Sequence, residues 1–229
     1  MKFLVVIPAR GGSKGIPRKN IRPFDGKPLI YYTIDVARAI VSDEDICVST
    51  DDNEIIQMVE NYGLHVPFKR PEELATDTAG TYEVLLHALD FYEKRGIYYD
   101  ALILLQNTSP FRTVEHVKNA LKLYTPNVDM VVSVKECASN PYYNIYEEDD
   151  EGYLHVCKGD GNIFRRRDAP MENEYNGAIY ILNVNTLKIT HMHKMQKRVK
   201  YVMDERSSFD LDTMTDWMIA EMIKKEWAL

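Results

Sequence analysis

A chain of 229 residues, 45% hydrophobic and 28% charged, can bury one substantial core, so one domain with an elaboration is expected rather than two full domains. A formal charge of −7, with no basic stripe interleaved with aromatics, argues against nucleic-acid binding, and no apolar run approaches the length of a membrane span. Cys47, Cys137 and Cys157 are odd in number and lack metal-like spacing, and Met1-Lys2 leads straight into a strand, so free thiols and a cytoplasmic location are expected.

Phe3 to Ile7 is an unbroken apolar run, the pattern of a fully buried strand in a parallel sheet. The segment leaving it is rich in glycine (Gly11, Gly12, Gly15) and carries Arg10, Lys14, Arg18, Lys19 and Arg22 with no acid among them. Five cations within thirteen residues of an acidic protein predict a concentrated anionic ligand: glycines let backbone N–H groups approach phosphate, and the cations neutralise it. Neither the Gly-x-x-x-x-Gly-Lys-Ser/Thr loop nor Gly-x-Gly-x-x-Gly is present.

Leu29 to Val41 has helical spacing; Asp45 to Thr50 reads as a strand; Asp51-Asp52-Asn53 caps a helix through Tyr62, stopped by Gly63. A short strand is expected over His65 to Phe68, and a long helix from Thr76-Asp77-Thr78 to Gly96. Asp100 to Gln106 is a buried strand, Thr113 to Tyr124 a helix and Val128 to Val134 another strand. Such alternation predicts βαβ units: an α/β fold with a mostly parallel sheet and helices on both faces. The rhythm breaks over about 136–174, where Asn144 to Glu147 and Tyr153 to Val156 form a hairpin expected to pack on another subunit or over the site. It resumes with strands at Gly177 to Leu182 and Val199 to Met203 and a helix from Thr213 to Trp227.

In open α/β sheets ligands sit beyond the carboxyl ends of the strands, which directs attention to Ser49-Thr50-Asp51, Gln106 to Pro110, Asn176-Gly177 and Phe209 to Thr213. Asp210 and Asp212 flank Leu211, so an extended backbone turns both carboxylates to one side, where a cation is needed between them. The competing reading is that Asp212 or Thr213 caps the last helix. His191-x-His193 has no apparent third ligand, and the run Lys194 to Lys200 reads as a solvated face. Tyr142-Tyr143 suits a sugar pocket or an interface.

Ile7-Pro8-Ala9-Arg10-Gly11-Gly12-Ser13-Lys14-Gly15 with Pro17-x-Lys19-Asn20 resembles the signature of acylneuraminate cytidylyltransferases (CMP-sialic acid synthetases). Ser49 to Asp52, Arg70-Pro71-Glu72-Glu73-Leu74-Ala75-x-Asp77, Leu105-Gln106-x-Thr108-Ser109-Pro110-x-Arg112, Asn176 to Tyr180 and Asp210 to Thr213 match in order. The resemblance implies a Rossmann-like nucleotidyltransferase fold, Mg²⁺ (Mn²⁺ as the alternative) on Asp210 and Asp212, and a homodimer joined by the inserted segment. It further implies that CTP activates a nine-carbon α-keto sugar acid, giving a CMP-sugar and pyrophosphate. Arg10, Gly11, Gly12, Ser13, Lys14, Lys19 and Asn20 would hold the nucleotide, with Arg70 and Thr81 at the cytosine. Gln106, Asn176, Gly177 and Tyr180 would meet the sugar. Arg166 would receive its carboxylate, with Arg165 and Arg167 equally able. Arg10, Lys14, Lys19 and Asp212 would carry catalysis. Asn140-Pro141-Tyr142-Tyr143 resembles relatives acting on legionaminic acid as much as those acting on N-acetylneuraminate. The alternatives are activation of the eight-carbon acid Kdo and a silent nucleotide-binding module.

Overall fold

The computed structural model describes residues 1–76 and 78–227. Strand β1 (Phe3–Pro8) leads through the glycine-rich loop to a small ribbon, β2 (Pro23–Phe24) and β3 (Lys27–Pro28). Its turn puts Asp25 and Gly26 at positive φ, as tight hairpin turns require. Helix α1 (Leu29–Arg38), strand β4 (Ile46–Ser49) and helix α2 (Asn53–Asn61) follow, then helix α3 (Thr81–Glu93) and strand β5 (Ala101–Leu105). Helix α4 (Val114–Lys122) precedes strand β6 (Met130–Glu136), and a short ribbon follows, β7 (Tyr146–Glu148) with β8 (Leu154–Val156). The chain ends with strand β9 (Asn173–Asn183), helix α5 (Val184–Ile189), strand β10 (Arg198–Val202) and helix α6 (Met214–Trp227).

The main sheet has the order β10-β6-β9-β5-β1-β4. Only β9 runs against the others, so the sheet is mostly parallel as the alternation predicts. Both faces are buried, which is why β1 is apolar without interruption. Val5 and Ile7 pack on one side with Ile34, Val59 and Val117 of α1, α2 and α4. Leu4 and Val6 pack on the other with Leu85 and Leu89 of α3 and Leu187 of α5. A third cluster, Ile16, Phe24, Leu29, Phe111, Leu211 and Trp217, fastens the glycine-rich loop to the start of α6.

Two expected elements differ. His65 to Phe68 makes no strand; Thr50 and Lys69 form a lone parallel bridge beside it. Pro67 has no N–H to offer a ladder. Helix α3 starts at Thr81 rather than Thr76, because the Thr76 hydroxyl accepts from the Ala79 N–H at 3.1 Å and closes a separate turn. Asp77, the middle of the expected start, lies outside the described residues.

The expected hairpin forms within the inserted arm. β7 and β8 pair antiparallel with Tyr146 opposite Val156. Asn140 organises its base: its Nδ2 donates to Pro170 O at 2.8 Å and its Oδ1 accepts from the Tyr142 N–H at 2.9 Å.

Candidate active site

Strand β1 sits between β4 and β5, so the chain leaves its carboxyl end toward one neighbour and later returns on the other side. Ligands in open α/β sheets bind at such a reversal. A cleft opens there, lined by Arg10, Ser13, Lys19 and Asn20 from the β1 loop, by Arg70, Thr76, Gly80 and Thr81 from the far wall, and by Gln106 to Thr108 after β5. Asn107, unread in the sequence motif, spans the reversal: its Nδ2 donates to Asn20 Oδ1 at 3.0 Å and approaches Pro8 O at 3.4 Å. Asn20 in turn donates from Nδ2 to Arg10 O at 2.9 Å, so this buried amide sets the loop's path.

The five loop cations separate into two groups. Arg18, in the left-handed region at φ 57°, bonds Asp52 at 2.5 Å and also pairs with Glu54. Asp52 is held below the usual carboxylate range by that guanidinium and by the α2 N–H groups that it caps. Arg22 lies 5.3 Å from the Trp217 ring. These two cations build the loop, contrary to the expectation that all five serve an anionic ligand. Arg10 and Lys19 line the cleft, while Lys14 and Gly12 stand exposed on the loop. The Gly11 N–H donates to Asp51 Oδ1 at 3.0 Å, and a Cβ on Gly11 would lie 2.4 Å from Asp52 Oδ2. Arg70 is buried, donating from Nε to Ser49 Oγ at 3.0 Å and from Nη2 to Ser49 O. It therefore fixes the cleft wall with most of its donors.

The acid pair reaches this loop. Lys19 Nζ donates to Leu211 O at 2.6 Å and lies 4.0 Å from Asp212 Oδ1; burial holds the ammonium below its ordinary pKa. A Cβ on Gly15 would fall 2.0 Å from Asp212 O, so only glycine permits this approach of two backbones. Leu211 is fully buried, and its N–H donates to Thr108 O at 2.9 Å, pinning the segment to the end of β5. Helix α6 is capped by Thr213 and Asp216: Thr213 Oγ1 accepts from the Asp216 N–H at 3.2 Å, and Asp216 Oδ2 accepts from the Thr213 N–H at 2.7 Å. Asp212 is thus released from capping. Asp210 is mostly buried, and burial with the neighbouring Asp212 charge raises its pKa. Its Oδ1 is buried without a hydrogen-bond partner. The Thr108 hydroxyl lies close enough to oppose that rise, without a well-formed hydrogen bond to this oxygen. A desolvated carboxylate oxygen beside a second carboxylate suits a bound cation. Among the described residues no three His, Cys, Asp or Glu side chains gather as a metal site, so further ligands would come from water or substrate.

A second cleft adjoins the first, with Gln106 on both. Asp210, Asp212, Asn176, Gly177 and Tyr180 line it with Lys135, Glu174 and Glu205. The β6–β9 register shifts between Val132 and Val134, opposite Tyr180 and Tyr175. Gly177 at φ +75° makes this bulge, which turns β9 toward the cleft. Asn176 lines this cleft, where the resemblance puts a sugar contact, with its amide already bonded inside the protein. Its Oδ1 accepts from Ser133 Oγ at 2.6 Å and its Nδ2 donates to Ser208 Oγ at 2.8 Å, so the amide is spent inside the protein. Arg112, quoted only as part of a motif, is a buried guanidinium spanning three elements. Its Nη1 donates to Gln106 O at 2.8 Å and to Ala178 O at 2.9 Å, and its Nη2 to Thr33 Oγ1 at 2.9 Å. Burial lowers its pKa to about 9.

Arg166 is not brought to this cleft. It sits in a 3₁₀ turn on the arm, with Nη2 donating to Cys137 O at 3.3 Å, and Arg165 and Arg167 are exposed beside it. Tyr142 and Tyr143 line a hollow within the arm with Tyr146, Leu154 and Phe164, away from both clefts. His191 and His193 stack at 5.2 Å, with Tyr82 against His191.

N-acylneuraminate cytidylyltransferase of Escherichia coli O18:K1:H7 (strain RS218 / NMEC) is 36% identical over 98% of this chain, which spans about half (52%) of that protein's length. CMP-N,N'-diacetyllegionaminic acid synthase of Legionella pneumophila subsp. pneumophila (strain Philadelphia 1) is 32% identical, over 97% of this chain and 96% of its own. A solved structure of CMP:2-keto-3-deoxy-manno-octonic acid synthetase complexed with CTP superposes with a TM-score of 0.71 over 99% of each chain at 17% identity, a likeness of fold. A cytidylyltransferase family model matches residues 4–225, and the chain belongs to that family.

Proposed function

We propose that the chain transfers CMP from CTP to a nine-carbon α-keto sugar acid of the N-acetylneuraminate or legionaminate type, releasing pyrophosphate. The observation that carries this reading is the meeting of Lys19 and Gly15 with the Asp210–Asp212 segment where two clefts join at Gln106. A cationic loop on one side and an acid pair on the other suit a triphosphate whose α-phosphate lies at the junction. The relatives named for N-acylneuraminate and diacetyllegionaminic acid, 36% and 32% identical, support the choice of acceptor.

In this reading the nucleotide occupies the first cleft. Arg10, Lys14 and Lys19 balance triphosphate charge, Ser13 and the Gly11-Gly12 backbone lie alongside, and Arg70 and Thr81 bound the base. The sugar acid occupies the second cleft, with Gln106, Gly177 and Tyr180 fixing its approach and Asn176 holding the bulge behind them. The sugar's anomeric oxygen attacks the α-phosphorus, and the bond to the bridging oxygen of the β-phosphate breaks. Such a transfer needs positioning and charge balance rather than a covalent nucleophile. Asp210 and Asp212 would hold Mg²⁺ or Mn²⁺, which supplies charge neutralisation at the phosphates when bound.

The arm carries exposed Tyr146, Tyr153, Leu154, Phe164 and Met171, an apolar surface fitting a second copy of this chain. A homodimer would cover it and could carry Arg165 to Arg167 to the partner's second cleft. No helix among the described residues is long and apolar enough to cross a membrane. Pyrophosphate release with CTP, Mg²⁺ and a panel of sugar acids tests the proposal. Release with the nine-carbon acids is expected; release only with the eight-carbon acid replaces the acceptor, and none with any acid leaves a nucleotide-binding module.

A further inference from the structure

Charge is unevenly distributed around the second cleft. Glu174, Glu205, Asp210, Asp212 and Asp216 line it against one cationic side chain, Lys135. Within one chain, even with a divalent ion between Asp210 and Asp212, an acid entering this cleft meets net negative charge from the cleft's own lining. Lys135 and Glu174 are register partners across β6 and β9, and Lys135 Nζ lies 2.9 Å from Glu174 Oε1. The second Glu174 oxygen is 3.9 Å from Cys137 Sγ, a weak donor. Both partners are partly exposed, 35% and 43%, so the pair can open without disturbing the core. Arg165, Arg166 and Arg167 of the same chain lie on the arm, outside this lining.

We infer that Lys135 is the in-chain receptor for the carboxylate of the sugar acid, and that Glu174 holds its place in the empty protein. This rests on the proposed assignment of the second cleft to the sugar. A lysine on a flexible stem is a point charge able to move from one carboxylate to another, unlike a fixed guanidinium fork. Incoming acid displaces Glu174 from Lys135, so the pair selects an anionic sugar over a neutral one by exchanging one carboxylate for another. The β6–β9 ladder holds both residues whichever carboxylate Lys135 binds.

The test is calorimetric titration of N-acetylneuraminate and its C1 methyl ester into the full chain, with Mg²⁺ and a non-hydrolysable CTP analogue. Lys135→Met is expected to weaken acid binding about tenfold or more, the scale of losing one charge-assisted hydrogen bond, and to leave ester and nucleotide binding unchanged. Lys135→Arg should recover most of the loss, and Glu174→Gln should tighten acid binding severalfold. Equal weakening of acid and ester, or acid binding by Lys135→Met at the wild-type level, overturns the assignment. Acid binding that depends on Lys135 without pyrophosphate release would sink the transfer reading alone. No acid binding by the wild type sinks both.

Discussion

Lys19 and Asp212 stand 4.0 Å apart across 193 positions of chain, with Lys19 Nζ also held by Leu211 O at 2.6 Å. The contact exists because Gly15 lets the loop backbone rest on the Asp212 carbonyl. Gly15→Ala is therefore expected to push the loop off the acid segment. A loss of about 10²-fold in kcat/KM should follow, since misplacing a charged group by an ångström has effects on this scale. Steady-state kinetics with CTP and N-acetylneuraminate check it; a wild-type value would mean that the contact is not used.

Capping and chemistry are separable at the start of α6. Thr213 and Asp216 close the helix, whereas the Asp212 carboxylate is 75% exposed and faces the second cleft. Thr213→Ala should cost about 1 kcal/mol of stability, the usual value of a cap, with turnover retained. Asp212→Asn should do the reverse: turnover falls about 10²-fold, the scale of losing a main electrostatic stabiliser, while the melting temperature holds. Thermal melts and kinetics on the two variants form a crossed test, and near-normal turnover of Asp212→Asn at saturating Mg²⁺ removes that carboxylate from the mechanism.

Asp210 carries the opposite trade. Its pKa is raised by burial, so the folded state holds its proton more tightly than the unfolded chain does. Stability then falls as pH climbs from the ordinary carboxylate range through the raised value, and the loss is complete above it. Asp210→Asn removes that burden. Without divalent ions at pH 7 it should melt about 2–4 °C higher than wild type, as ~1 kcal/mol gives in a chain of this size, and the gap should close below pH 4. Mg²⁺ should raise the wild-type melting temperature and leave the variant's unchanged; equal shifts would deny Asp210 the metal.

The fold and the loop were legible because their signals are local. A short, unbroken apolar run ended by a glycine-rich loop reads as a strand covered on both sides, and Asp52 before α2 and Thr213 before α6 announce their helices. What stayed hidden depends on distant partners. Arg18 and Lys19 are adjacent and alike in sequence, yet one is neutralised by Asp52 and the other meets Asp212. Asn176 looked like a ligand contact because it opens a motif, and only its bonds to Ser133 and Ser208 show the amide engaged inside the protein. Asn107 fell within a polar strand end, but its part in the site stayed hidden because it lies in reaching Asn20. Lys135 was silent because its partner, Glu174, is brought opposite by strand register.

Arg112 joins the end of β5, the β9 bulge and α1 through bonds of 2.8–2.9 Å, with no carboxylate beside it. In the proposed reading its contacts lie on the sugar side of the reversal, whereas Asn107 and Asn20 line the first cleft, proposed for the nucleotide. Arg112→Lys should raise KM for the sugar acid about tenfold and leave KM for CTP nearly unchanged, since one ammonium cannot span the three acceptors. A parallel rise in both constants would show a general structural role instead.

The last prediction concerns the arm, whose exposed Leu154 and Phe164 leave apolar area that one chain cannot bury. Leu154→Glu with Phe164→Glu should convert the proposed dimer to monomer in sedimentation velocity. Turnover should fall with it, because the second cleft has no arginine of its own chain in its lining. Mixing separates packing from chemistry. An Arg165, Arg166 and Arg167 triple alanine variant and Asp212→Asn should each be nearly inactive. In a mixed dimer, one cleft receives wild-type arginines from its partner and keeps its own Asp212, so about a quarter of wild-type activity should return on random exchange of subunits. A monomer with full turnover, or mixtures no more active than their parts, would confine the arginines to the chain that carries them.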